Sequence, residues 1–582
     1  MMITPRPFGQ TARDAATRRL SAALDRLPAA LVVVVGAWVL IAYSVGQWRS
    51  LTVPSWDLAI FAELAKDYAH GQAPIVSIKG DGYNLLGDHF HPILVLLGPV
   101  WRLFPTPLAL LVVQDLLLAV SAWPLTRLAT RLTRRSVATA LGLFYVLSWG
   151  IQGAVQAQFH EIAFAVPALA WASVAFVERR WRACALWLAP LVLVKEDMGL
   201  TLVMAGGAMA LRGWQDARAG RPDDDGGWAR WLPGRSAQLS GRSARTRAGM
   251  PTAVRVGAYV ALFGLLAFVL TVFVIVPLLS PTGAWQYGLN GNAADGMPTV
   301  PNHGNLLDRL FSPQVKVATL FMLVCTAGGI GLASPWMTLV LPTLGWRFLA
   351  DKETYWEWRY WHYNAVLIPI ALGALLDVVA RLRERRARRA GEPAEKPTEA
   401  TGATEPAGPT GPATHAGPTD PAGPTAPGNL AGSADPAGAA NPAGPAGWLA
   451  APVWARWVVA VGVVIPLIAG VKTASHLPLW TMKDRAAQST RWDAAQQVID
   501  TIPEGASVET DLTLLAYLVP KADVSWVGAS HEAKDYVVID SRSTAWGGRI
   551  PRDAAQWAAQ NRHAAYQLVL DVDGFQVAKR VG

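Results

Sequence analysis

SWDLAIFAELAKDYAHGQAPIVSIKGDGYNLLGDHFHP, residues 55–92, carries Asp57, Glu63, Asp67, His70, Asp81, Asp88, His89 and His91. No other stretch between apolar segments packs so many ionisable groups so close to the bilayer. The chain turns apolar on both sides, at Ala29–Gly46 before it and from Ile93 after it. Runs near the ~20 residues needed to cross a bilayer recur at Val254–Leu279 and Val453–Val471. Hydrophobic residues make up 52% of the 582 and charged residues 16%. That balance predicts an α-helical polytopic membrane protein, with spans that hold the 55–92 loop against lipid.

The net charge of +9 comes from Arg clusters between apolar segments, as the positive-inside rule expects, and so argues against a nucleic-acid partner. Cys184 and Cys325 both lie in apolar segments without metal-ligand spacing and read as packing residues. Residues 1–28 are polar and Arg-rich and no small-residue cleavage site follows Gly46, so the first span reads as a retained anchor behind a cytoplasmic tail.

Placing each basic cluster inside gives about 11 spans, near 29–46, 107–129, 136–151, 162–177, 183–194, 198–212, 254–279, 315–333, 335–350, 363–380 and 452–472. Ile93–Phe104 is too short to cross and is expected to be re-entrant or interfacial within a first external loop, 47–106. QGAVQAQFHEI (152–162) is expected to be an external turn, 212–255 a flexible cytoplasmic loop and 280–314 an external loop with Trp285, Tyr287, His303 and Asp308. Residues 381–450 follow the 29–380 membrane domain and are largely Pro, Ala, Gly and Thr; they read as a disordered cytoplasmic linker, too poor in large apolar side chains to fold. A final span at 451–473 then leads to a small external α/β domain, 474–582. Its strands are expected at ASVETD, ADVSWV and DYVVID, with helices over 484–502 and 552–562 and a hairpin about Asp573-Gly574.

Five groups could carry chemistry. Asp57 follows Pro54 just past the first span, on a segment whose Ile60, Phe61 and Leu64 suit a helix lying on the bilayer surface. It could act as a general base or bind a metal; the alternative is a helix N-cap. GDHFHP places Asp88 beside His89 and His91, which share a face if the segment is extended, as two metal ligands would. His160 and Glu161 sit at an external membrane boundary, and Lys195, Glu196 and Asp197 form a polar corner where ionisable residues are costly and usually functional. In the turn 355–363, Arg359 and His362 are interleaved with Trp356, Trp358 and Trp361. Most of these Trp suit an aromatic belt, while Arg359 suits a phosphate. No Walker loop, dinucleotide fingerprint, HExxH or GxSxG is present.

SWDLAIFAELAKDYAHGQ, NLLGDHFHPILVLLGPVWRLFP, Gln114-Asp115, QFHEIAFAVP and LVKEDMGL together resemble the domain of unknown function 2079 family of predicted polytopic membrane proteins. The resemblance covers roughly residues 30–380 and extends to IPEGASVETDLTLLAYLVP and DYVVID in the tail. That family is similar in layout to the GT-C glycosyltransferases. The resemblance implies a carboxylate in the first external loop, matched here by Asp57, and a polyprenyl-phosphate-linked sugar as donor. His89–Pro92 matches the Pro-rich segment that leads to a loop helix in many GT-C members, but the His content departs from their pattern.

The expectation is a cell-membrane glycosyltransferase that moves a sugar from a polyprenyl-phosphate carrier to an envelope acceptor on the external face. Asp57 would be the base. Lys195, Glu196, Asp197, Arg359, His362, Glu63 and Asp88 would bind substrate; His89, His91, His160 and Glu161 would hold any divalent metal ion. A transporter or lipid-carrier flippase stays open, although two similar halves with broken spans are not evident. A non-catalytic envelope protein stays open as well.

Overall fold

Hydrocarbon leaves no partner for an unpaired peptide group, so the apolar runs fold as helices. The computed structural model describes residues 8–53, 55–221, 250–285, 304–391, 453–482, 489–529 and 532–581. The helices that organise the site are α1 (Phe8–Arg49), α2 (Ser55–Ala69), α3 (Pro107–Leu132), α4 (Arg135–Ala157), α5 (Ala165–Val177), α6 (Met198–Arg218), α7 (Thr252–Leu279), α8 (His362–Arg385) and α9 (Val453–Thr473).

Among the described residues, six helices are long and apolar enough to cross a membrane: Ala23–Arg49 of α1, α3, α4, α7, α8 and Arg456–His476. The runs at 183–194, 315–333 and 335–350 do not form single long helices, because 3₁₀ turns at Ala189–Leu193, Ile330–Ala333 and Pro335–Val340 interrupt them. Pro92–Leu103, Glu161–Val177, Trp181–Leu193 and Gln314–Thr326 are shorter apolar helices. QGAVQA, expected in an external turn, instead continues α4 to Ala157. The linker from 392 to 452, most of the 212–255 loop and the stretch holding Tyr287 and His303 lie outside the described residues.

Glycines bring α6 and α7 into backbone contact. A Cβ on Gly206 would lie 2.2 Å from the Gly257 carbonyl oxygen, and one on Gly199 would lie 2.4 Å from that of Gly264. The seven-residue spacing on each helix repeats the approach two turns on. Ion pairs gather the charged helix ends away from α2. Asp25 pairs with Arg135, Arg131 with Glu178, and Arg179 with Asp216. The basic clusters picked out in the sequence therefore meet at one end of the helices. Arg212 of α6 and Asp377 of α8 form a further pair, with each side chain 1% exposed.

The tail folds as α10 (Trp492–Thr501), β1 (Ser507–Thr510), α11 (Leu515–Leu518), β2 (Asp523–Trp526), β3 (Tyr536–Asp540), α12 (Ala554–Arg562), β4 (Tyr566–Val572) and β5 (Phe575–Arg580). The sheet order is β2-β1-β3-β5-β4; β2, β1 and β3 are parallel, and β5 pairs antiparallel with both β3 and β4. The β4–β5 turn is at Asp573-Gly574, whose φ values of 43° and 84° explain why Asp-Gly marks a hairpin.

α2 is enclosed by protein rather than laid on lipid. Leu58, Ala59, Leu64 and Ala65 are fully buried and share one core with Leu514, Leu515 and Leu518 of the tail. The Ala516 N–H donates to Ser55 Oγ at 3.0 Å, and Lys66 Nζ donates to the carbonyls of Val519 and Ala522 at 3.0 and 2.9 Å. Tyr517 stacks on Trp48 at 4.0 Å and its hydroxyl donates to the Trp48 carbonyl at 2.8 Å. The ammonium of Lys66 thus satisfies carbonyls of the turn that follows α11. Lys66→Met is expected to loosen the docking by about 1.5–3 kcal/mol, the scale of a hydrogen bond to a charged group. Hydrogen exchange should then quicken in Leu515–Leu518 while the β3 amides keep their protection.

Candidate functional site

The N-terminal turn of α2 places Asp57 on the wall of a cavity of about 320 Å³. Several other segments reach the same cavity, among them the 79–91 loop, the α4–α5 connection, the residues leading into α6 and the start of α8. They bring Asp88, His89, His91, His160, Glu161, Lys195, Glu196, Asp197 and His362 together with Asp57. The volume falls within the ~300–1,000 Å³ typical of small-molecule sites.

Asp57 faces His160, with Oδ2 3.4 Å from Nε2. His160 Nδ1 lies 3.0 Å from the Gln158 carbonyl oxygen, which can only accept, so Nδ1 carries a proton. The His160 backbone N–H donates to Gln114 Oε1 at 3.1 Å. The His160 ring stacks on that of His362, with centroids 3.6 Å apart and planes at 22°. Each of these two histidines follows closely on a non-glycine residue of positive φ, Gln158 at 73° and Trp361 at 70°. Such conformations cost of order 1–3 kcal/mol and cluster at functional sites. Here they turn two segments so that both imidazoles face the cavity.

Burial alone would lower the His160 pKa, but Asp57, supported by Glu161, holds it above the usual value of about 6.5. Folding therefore favours the imidazolium. Its contribution to stability is complete below about pH 6.5 and is lost as pH rises through the raised folded value. The gap in unfolding midpoint between wild type and His160→Gln is expected to narrow from pH 6 to pH 10 in thermal scans. A gap that widens would overturn the ion pair.

The other cavity acids each have a partner. Lys195 Nζ lies 3.0 Å from Glu161 Oε1. Glu196 takes His89 Nδ1 at 2.8 Å, the Phe90 N–H at 3.2 Å and the Trp285 indole N–H at 3.1 Å. Burial works to raise the Glu196 carboxyl, but the adjoining His89 holds it below the usual range. Trp346 Nε1 donates to Asp197 Oδ2 at 2.9 Å. Asp88 accepts from Lys79 and from the Tyr83 hydroxyl, the latter at 2.8 Å. Burial raises the Asp88 pKa, yet His89 and Lys79 bring it down to about 2.

Two expected site residues lie elsewhere. Glu63 accepts the Ser77 and Ile78 N–H groups at 2.8 and 3.3 Å, and burial pushes its pKa up to about 7. It ties the 75–84 loop to α2 and does not line the cavity. Arg359 forms a two-point pair with Glu357, at 3.0 Å for each contact, and also lies outside the cavity lining. The metal set needs correction too. Among the described residues no three His, Cys, Asp or Glu side chains gather as metal ligands. His89, His160 and Glu161 instead turn to Glu196, Asp57 and Lys195.

Sequence reading passed over Lys79 and Trp346, both of which line the cavity. The one signal for Lys79 is its place between apolar Ile78 and Gly80 in an acid-rich loop. Trp346 gave none, because it sits in an apolar run and meets Asp197 only through the fold.

The family model described as "Predicted membrane protein (DUF2079)" matches residues 47–391, more than half of the chain and every segment of the cavity. The chain belongs to the DUF2079 family. Among curated proteins none matches it. The family description and the apolar helices together make it a membrane protein that crosses the bilayer several times.

Proposed function

We propose that the protein is a GT-C-type glycosyltransferase that moves a sugar from a polyprenyl-phosphate donor to a hydroxyl of an envelope acceptor. The observation that carries this reading is the accessibility of Asp57. Its side chain is 36% exposed at the cavity, against 3% for Glu161 and 1% for Glu196. A carboxylate that can meet a substrate hydroxyl, among acids that are more deeply buried and bonded within the chain, has the placement a general base needs.

Asp57 takes the proton of the acceptor hydroxyl as its oxygen bonds to the anomeric carbon. The bond from that carbon to the phosphate oxygen breaks, and its electron pair leaves with the polyprenyl phosphate. The phosphate leaving group supplies the driving force, so no nucleotide is required. His160 and the Lys195 ammonium supply positive charge at the cavity wall, where it stabilises charge developing on the phosphate. The basic clusters at the far end of the helices support an external position for the cavity and the tail, with the N-terminus cytoplasmic. The test is release of polyprenyl phosphate from a panel of polyprenyl-phosphate sugars, wild type against Asp57→Asn, in lipid nanodiscs with a crude envelope extract as acceptor.

A further inference from the structure

Among the described residues, three residues from separate segments of the cavity lining each carry a buried polar atom with no hydrogen-bond partner. The atoms are Nδ1 of His91, Oδ1 of Asp197 and Nδ1 of His362. The residues are 1%, 8% and 6% exposed. Roughly 90% or more of buried polar groups are paired in folded proteins, and leaving one unpaired is costly. Three such atoms around one cavity therefore point to a ligand that completes them.

Their chemistry narrows that ligand. Oδ1 of Asp197 accepts, so the ligand must donate there. The same carboxylate holds the Trp346 indole through Oδ2, which sets a flat aromatic wall beside it. Trp361, another lining residue, immediately precedes His362. Burial pushes the His91 pKa down to about 4, so at neutral pH its ring is uncharged and presents one donor and one acceptor. An ionised phosphate has nothing to donate to Asp197 and would meet the charges of Asp197 and Glu196. A ring bearing several hydroxyls both donates and accepts, and its apolar face suits an indole.

We infer that His91, Asp197 and His362 form the subsite for the sugar ring of the donor, next to the phosphate, since the His362 ring stacks on that of His160. The inference rests on the glycosyltransferase reading for the identity of the ligand. It assigns recognition of the sugar to these three residues and proton removal to Asp57.

The test is binding in place of turnover. Wild-type protein in lipid nanodiscs is titrated calorimetrically at pH 7.5 with farnesyl phosphate. It is then titrated with farnesyl phosphate esterified to a hexose, a pentose and an aminohexose. At least one sugar-bearing probe is expected to bind about tenfold more tightly than farnesyl phosphate alone. Asp197→Asn and His362→Gln should each bring that preference close to unity and leave farnesyl phosphate affinity unchanged; His91→Gln replaces either variant that does not purify as a single species. A preference for the aminohexose supports the same subsite, because an ammonium also donates to Asp197. Equal binding of sugar-bearing and sugar-free probes by wild type overturns the subsite, as does a preference that survives in the variants. A sugar preference in protein that never transfers sugar would refute the enzymatic reading and leave the subsite standing.

Discussion

Asp57→Asn is expected to release polyprenyl phosphate at least about 100-fold more slowly than wild type, the lower end of what a positioned general base contributes. Asn keeps the shape and the hydrogen-bonding reach of Asp and loses the capacity to take a proton. Asp57 lies at the cavity edge and His160 keeps its bond to the Gln158 carbonyl, so the variant should still fold. A melting point within a few degrees of wild type would separate lost chemistry from lost structure. Restoring Asp57→Glu should recover part of the rate, since a longer carboxylate still faces the cavity. Equal release by wild type and Asp57→Asn would end the assignment of Asp57 as base. Absence of release from every donor by both would turn attention to transport of the carrier lipid.

Asp377→Leu is expected to lose about 3–5 kcal/mol of stability, the scale of breaking a buried ion pair on one side. Asp377 accepts from Arg212 and from the Ser334 hydroxyl, the latter at 2.6 Å, and lies 3.4 Å from Arg381 Nε. The Arg212 guanidinium stands 5.1 Å from the Phe176 ring centroid and is almost wholly enclosed. Removing the carboxylate strands that charge among apolar side chains. Arg212→Met with Asp377→Leu removes both charges and should recover most of the loss. Thermal unfolding of the two variants in detergent decides this. A single variant as stable as wild type would mean that water or lipid headgroups reach Arg212.

Much of the site was legible as chemistry before it was legible as a place. Lys195 and Asp197 stand out as ionisable groups beside apolar runs, Asp57 by its place just past the first span, His89 by its spacing from His91, and His362 by the aromatic residues around it. Burial and pairing could not be read in the same way. Lys195 reaches the cavity already shared with Glu161, a pairing the sequence does not show, and Arg359 is held by Glu357 outside the cavity. His89 and His91 looked like a metal pair because their spacing matches one, but spacing does not choose between a metal and the carboxylate of Glu196, more than a hundred residues away.

The sequence by itself determined the apolar helices, the clustering of Arg at one set of helix ends and the α/β tail with its Asp-Gly hairpin. These follow from hydropathy, charge and local backbone preference, which act over a few residues. The tertiary structure alone decided how many helices reach spanning length, because 3₁₀ turns divide runs of unbroken hydropathy. It also decided that α2 is clamped between the membrane helices and the tail. The Ser55–Ala516 hydrogen bond joins residues 461 positions apart, and no local pattern encodes such a contact. The cavity is of the same kind. Its walls come from segments spread from Trp56 to Tyr363, and its polarity is set by which acids are buried with their partners across those distances and which, like Asp57, stay accessible to a ligand.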